Sequence, residues 1–227
     1  MGATTGVSAG HQVIAHRAGD RPEALARVAA EADLIEADVR LFHGRLEVRH
    51  AKSIGPIPLL WEKWHLVARR RPPLLLEDLL AAMPDDVGLV LDLKGPDPRM
   101  ARRVLRATAA WRAARPLRVC GRVWPTIDRM RGHTGVATAH SAGSARQLRA
   151  LLRRPRGRLE GASVDRRLLT PAIAAAIRER VEVLWAWGVD DPRTARELLA
   201  WGVTGLISDA PGAVSRGLAT PEALRGS

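Results

Sequence analysis

The chain has 227 residues, 46% of them hydrophobic, which suits one sizeable core and excludes wholesale disorder. Its net charge of +12 comes mainly from arginines spread along helix-like segments, with Lys52, Lys63 and Lys94 the three lysines; this reads as a solvated surface able to attract anions and excludes a basic nucleic-acid arm. The single cysteine, Cys120, excludes an intrachain disulfide and points to a reducing, cytoplasmic setting, while no run of about 18 apolar residues marks a membrane span and the start lacks the features of a secretory signal.

The first predicted element is a short apolar strand at 11–15, followed by a polar turn from His16 to Asp20. Pro22 suits a first helical turn, and the alanine-rich stretch 23–32 predicts a helix. A strand follows at 35–39, then a His43-Gly44 turn and an alternating arm at 45–50 that predicts a hairpin. Residues 51–73 read as irregular, with four prolines, Trp61 and Trp64; a helix at 75–83 is stopped by Pro84.

From residue 87 onward, strands and helices alternate. Strands are expected at 87–94, 117–123, 136–139, 162–164, 181–187 and 205–208. The intervening helices are expected at 99–114, 126–131, 144–153, 171–180, 192–200 and 211–217. About eight strands alternating with helices predict parallel pairing through crossovers. In this length they fit a single (β/α)8 TIM barrel, with a small hairpin insertion after strand 2, better than an open doubly wound sheet. No Gly-rich phosphate loop follows the first strand. The barrel is expected over 12–217, with flexible tails at 1–11 and 218–227.

In such a barrel the active site lies at the C-terminal ends of the strands, and the unusual polar residues fall there. Glu36 and Asp38, at i and i+2 on one strand, project to the same side. Alone they read equally well as a solvated edge or as a pair needing a cation. Asp92 and Lys94 repeat the spacing on the next barrel strand, His16 and Arg17 end the first, His50 ends the hairpin arm, and Trp187 ends a late strand. This set supports phosphodiester cleavage: carboxylates for a hard divalent cation, Arg17 and Lys94 for phosphate oxygens, and two histidines for general acid and base.

The ordered motifs resemble the glycerophosphodiester phosphodiesterase family over roughly residues 12–217. They read His16-Arg17-Ala18-Gly19, Glu36-Ala37-Asp38, His50-Ala51, Asp92-Leu93-Lys94, Trp187-Gly188-Val189-Asp190 and a Gly202 to Pro211 ending. The resemblance implies Glu36, Asp38 and Asp92 as Mg2+ or Ca2+ ligands and His16 and His50 as the catalytic pair. It implies phosphate contacts from Arg17 and Lys94 and an alcohol or glycerol pocket at Trp187. The implied reaction hydrolyses glycerophosphodiesters, or related lysophospholipid head groups, to an alcohol and glycerol 3-phosphate. A neighbouring substrate hydroxyl attacks first, forming a cyclic phosphate. The implied partner is a small-molecule phosphodiester, with no nucleic acid.

The sequence departs from the family pattern in the substrate-facing loops. The family's Pro-Glu-Asn-Thr is reduced to Arg21-Pro22-Glu23-Ala24-Leu25, the Asp after the second histidine is Ala51, and the third ligand is Asp92 in place of Glu. Residues 52–56 replace the usual Leu-x-Arg-Thr. A non-catalytic phosphodiester-binding relative is therefore an alternative reading, and net charge alone supports a nucleic-acid-associated one. His140 and Arg122 are further candidates for the mouth. Trp61 and Trp64 read either as an apolar lip or as a cap on the barrel edge, and Cys120 as a buried small hydrophobe.

Overall fold

The computed structural model describes residues 10–53, 59–62, 65–68 and 72–220. Strand β1 (Gln12–Ala15) leads through two short 3-10 turns to helix α1 (Leu25–Ala29), then to β2 (Leu34–Phe42). An insertion follows: β3 (Arg45–Val48) pairs antiparallel with β2, and β4 (Lys52–Ser53), β5 (Leu59–Glu62) and β6 (His65–Ala68) form a separate antiparallel sheet. Strand β7 (Leu74–Leu75) pairs with β3 and runs into α2 (Leu76–Ala82). The regular part comprises β8 (Gly88–Lys94), α3 (Met100–Ala107), α4 (Ala109–Ala114), β9 (Leu117–Gly121), α5 (Trp124–Asp128) and β10 (Val136–Ala142). It continues with α6 (Ala145–Arg153), β11 (Gly161–Asp165), α7 (Pro171–Arg178), β12 (Val183–Trp187), α8 (Pro192–Ala200), β13 (Gly205–Ser208) and α9 (Pro211–Ala219).

Strands β1, β2, β8, β9, β10, β11, β12 and β13 pair in that order, each parallel to the next, and β13 pairs back to β1. The chain is thus a closed (β/α)8 barrel with a small insertion after its second strand, as the alternation predicts.

Alternation along the strands sorts the core into layers. In β8, Leu89, Leu91 and Leu93 pack outward with Ile35, Ala37 and Val39 of β2 and with Met100 and Val104 of α3. The opposite positions point into the barrel, where Ile14, Leu34, Val90, Cys120, Ala139, Trp185 and Ile207 form a plug. Truncating a plug residue such as Ile14, which is fully buried, costs about 2–5 kcal/mol because the closed ring cannot collapse onto the gap.

Several boundaries differ from the sequence expectation. The helix expected over 99–114 breaks at Thr108, whose hydroxyl donates to the Val104 carbonyl at 2.8 Å, a back-bond that competes with continued helix. The helix expected over 23–32 shrinks to α1, because residues 18–24 form 3-10 turns against the barrel. The irregular stretch 51–73 contains β4, β5 and β6. Residues 54–56 and Trp64 of the expected lip lie outside the described residues, as do 1–9 and 221–227 of the expected tails; Trp61 lies on β5.

Candidate active site

The β2–β8 register sets the floor of the site. Glu36 lies opposite Val90, Asp38 opposite Asp92, and Arg40 opposite Lys94. Glu36 and Asp38 are almost fully buried at 3% and 1% exposure. Oxygens of Glu36, Asp38 and Asp92 all lie within 4.8 Å of one another. Lys94 Nζ sits 2.9 Å from Asp38 Oδ1 and also ion-pairs with Asp92 Oδ2.

The loop after β1 supplies the other wall. Arg17 adopts a left-handed backbone, φ 52°, which is uncommon for a side chain of this size and recurs at functional sites. In this conformation its N–H donates to Glu36 Oε2 at 2.7 Å, and its Nε lies 3.2 Å from Asp38 Oδ2. Gly19 makes this close approach possible: a Cβ there would lie 2.6 Å from Ala37 Cβ and 3.3 Å from the Glu36 carbonyl oxygen. Asp20 follows, its Oδ1 accepting from the Asp38 N–H at 3.2 Å.

Electrostatics follow from crowding these anions out of water. Burial, and then the charge of Asp38, push Glu36 well above the usual carboxylate range, against the opposing pull of Lys94. Burial and Asp38 also push Asp20 up to about 7. Burial works upward on Asp38 too, but Lys94, His50 and Arg17 outweigh it and hold that carboxyl low. Burial works downward on Lys94, and Asp92, Asp38 and Glu36 outweigh it in turn, so the ammonium stays charged.

The donor set fits a hard divalent cation. Asp92 Oδ1 is buried without a hydrogen-bond partner, and the two buried Asp38 oxygens are held by ion pairs to Lys94 and Arg17. Three converging carboxylates are the all-oxygen chemistry that Mg2+ and Ca2+ select.

The histidines sit on the loops next to this floor. Arg17, beside His16, donates to Glu36, and His50 acts electrostatically on Asp38, while Glu36, Asp38, Asp92 and Lys94 do not line the cavity that holds the histidines. His16 Nδ1 lies 2.7 Å from Asp209 Oδ1. A carboxylate only accepts, so Nδ1 carries the hydrogen and Nε2 is left for chemistry. The turn holding Asp209 is itself fixed: Asp190 Oδ1 accepts from the Asp209 N–H at 2.8 Å and from the Ser208 hydroxyl at 3.1 Å. His50 follows β3, and its carbonyl accepts from Arg40 Nε at 3.0 Å. The next carbonyl, of Ala51, accepts from Arg49, whose own N–H donates to the Asp38 carbonyl at 2.8 Å. His16, Arg17 and His50 line one cavity of about 840 Å³ together with Asp20 and Asp209.

Trp187 ends β12 on the other side of the mouth, where the Arg122 guanidinium lies 5.3 Å from its ring centroid. Trp187 does not line the cavity shared by the histidines. His140 is turned away from the mouth: it is fully buried behind β10, with Nε2 2.9 Å from Asp128 Oδ1 of α5. Cys120 is buried in the barrel plug, as expected.

Sequence reasoning assigned no role to Asp209, Asp190 or Asp20. A usable signal was present for Asp209, which immediately follows β13 at the strand end where barrel chemistry gathers.

No protein-family model matches the sequence, and no curated protein matches it significantly. Solved structures do share the fold. A phosphodiesterase of Oleispira antarctica, solved in complex with the product sn-glycerol-3-phosphate, has a TM-score of 0.73 at 16% identity, covering 92% of this chain and 97% of that one. A glycerophosphodiester phosphodiesterase of Parabacteroides distasonis gives 0.70 at 18% identity, over 92% and 96% of the two chains. One from Thermotoga maritima gives 0.65 at 17%, over 88% and 95%. Among the described residues, no helix is long and apolar enough to cross a membrane.

Proposed function

We propose that this chain is a metal-dependent phosphodiesterase of the glycerophosphodiester phosphodiesterase type, a phosphoric diester hydrolase acting in lipid metabolism. The observation that carries the reading is the cluster of Glu36, Asp38 and Asp92 oxygens within 4.8 Å, at the mouth of the barrel that also presents His16 and His50. The fold shared with phosphodiesterases, one of them solved with sn-glycerol-3-phosphate, supports it. The substrate is a glycerophosphodiester or a related lysophospholipid head group, and the single cysteine supports a cytoplasmic setting.

Glu36, Asp38 and Asp92 would hold Mg2+ or Ca2+, which would neutralise charge on the phosphate. The rest of the chemistry belongs to the chain. Arg17 and Lys94 draw in the non-bridging oxygens, and Trp187 borders the alcohol side. One histidine removes the proton from the substrate hydroxyl next to the phosphate as its oxygen attacks phosphorus. The other protonates the departing alcohol oxygen, and water then opens the cyclic phosphate with the two roles exchanged. His16, oriented through Asp209, is placed to act through Nε2.

One observation favours a second reading. Lys94 already neutralises Asp38 and Asp92, and Ala51 offers His50 no carboxylate at the adjoining position. A non-catalytic phosphodiester-binding protein fits those facts. Release of glycerol 3-phosphate from a panel of glycerophosphodiesters separates the two. The enzyme reading predicts turnover that EDTA abolishes, whereas binding without turnover under any divalent ion supports the second.

A further inference from the structure

Resting on the phosphodiesterase reading, we infer that the site prefers diesters whose esterified alcohol carries its own negative charge over those ending in a quaternary ammonium. The cavity that holds His16 and His50 does not stop at the histidines. It extends between α1 and the start of α9, where Arg21, Arg27 and Arg216 line it. The side chains of Arg21 and Arg216 form no hydrogen bond or ion pair among the described residues; their bonds are backbone ones. Arg27 shares only a 4.0 Å pair with Glu31, the carboxylate at this end of the cavity. Asp209, the exposed carboxylate nearer the histidines, is committed to His16. No Trp, Tyr or Phe side chain lines the cavity among the described residues.

The far side of the mouth carries the same bias independently. A quaternary ammonium is recognised by aromatic faces. The face of Trp187 is already covered by the Arg122 guanidinium at 5.3 Å. A cationic alcohol would meet like charge on either side, while a phosphate or carboxylate on the alcohol would meet the Arg21 and Arg216 guanidinium groups, which are suited to paired oxygens.

The test compares three diesters of graded alcohol charge on the full protein with its divalent ion: sn-glycero-3-phosphocholine, sn-glycero-3-phosphoinositol and sn-glycero-3-phosphoinositol 4-phosphate. Both kcat/KM and calorimetric affinity should rise from the cationic through the neutral to the anionic alcohol, with a spread of about tenfold that narrows as salt is raised. Arg216→Glu and the double change Arg21→Ala with Arg216→Ala should shrink the anionic-to-cationic ratio, mainly through KM. A choline preference, or a ratio unmoved by these changes, overturns the inference. Absence of turnover with all three diesters defeats the hydrolytic reading alone, since the order of affinities still decides the preference.

Discussion

Asp38 and Asp92 face each other as register partners on adjacent parallel strands, and the Lys94 ammonium bridges them. With Glu36 beside them, three carboxylates converge within the barrel mouth and one lysine offsets two of them. This arrangement places a counter-charge where a divalent ion would otherwise carry all of it.

Lys94→Met should therefore leave Asp92 without its counter-charge and Asp38 with Arg17 alone. In EDTA the variant should lose about 3 kcal/mol of stability, the scale on which breaking a buried ion pair operates. Saturating Mg2+ or Ca2+ should restore much of the loss. Thermal unfolding with and without the ion reads both effects, and a variant as stable as the parent in EDTA would remove Lys94 from this role.

The Asp209–His16 contact predicts a graded series. His16→Ala should lower kcat by about 10²-fold or more. Asp209→Asn, which frees the imidazole to take either tautomer, should lower kcat by about tenfold and displace the pH–rate profile. Combining the two should cost no more than His16→Ala alone, because Asp209 acts through the ring; additive losses would assign it a separate task.

Gly19→Ala tests the close approach of the first loop to β2. The added methyl meets Ala37 Cβ at 2.6 Å and must push the loop outward. This should cost about 1–3 kcal/mol and pull the Arg17 N–H off Glu36, lowering activity further than the stability loss explains. Activity equal to the parent at a temperature where both are folded would show that the loop has slack.

His140 gives a pH signature away from the mouth. Burial holds its imidazole below the ordinary value of 6.5, overcoming the upward pull of Asp128. The unfolded chain then binds more protons as pH falls below 6.5, so stability is lost on acidification through that point. His140→Gln should shrink the fall in Tm between about pH 7.5 and about pH 5.5 by a few degrees. An unchanged or steeper fall would reverse the sign.

The barrel was legible because its alternation is regular: the strands from β8 onward carry apolar runs bounded by turns, and Pro171, Pro192 and Pro211 mark helix starts. The carboxylates were legible as well, since spacing of two on a strand fixes a common face. The helix break at Thr108 was not, because a back-bonding hydroxyl leaves no trace in periodicity. His140 illustrates another limit: on β10 it is next to Ser141 at the strand end, and a one-residue difference decides whether a side chain faces the mouth or the helices. Asp190 and Asp209 were visible as letters in motifs, but their hydrogen-bonded partnership joins positions far apart in the chain.

The most direct test strips the purified protein with EDTA and follows glycerol 3-phosphate release from a glycerophosphodiester as Mg2+ or Ca2+ is added back. The predicted result is saturable recovery in the parent and none in Glu36→Gln, which stays folded but lacks one ligand charge. Turnover that is indifferent to EDTA, or equal recovery in Glu36→Gln, would contradict a catalytic metal held by Glu36, Asp38 and Asp92.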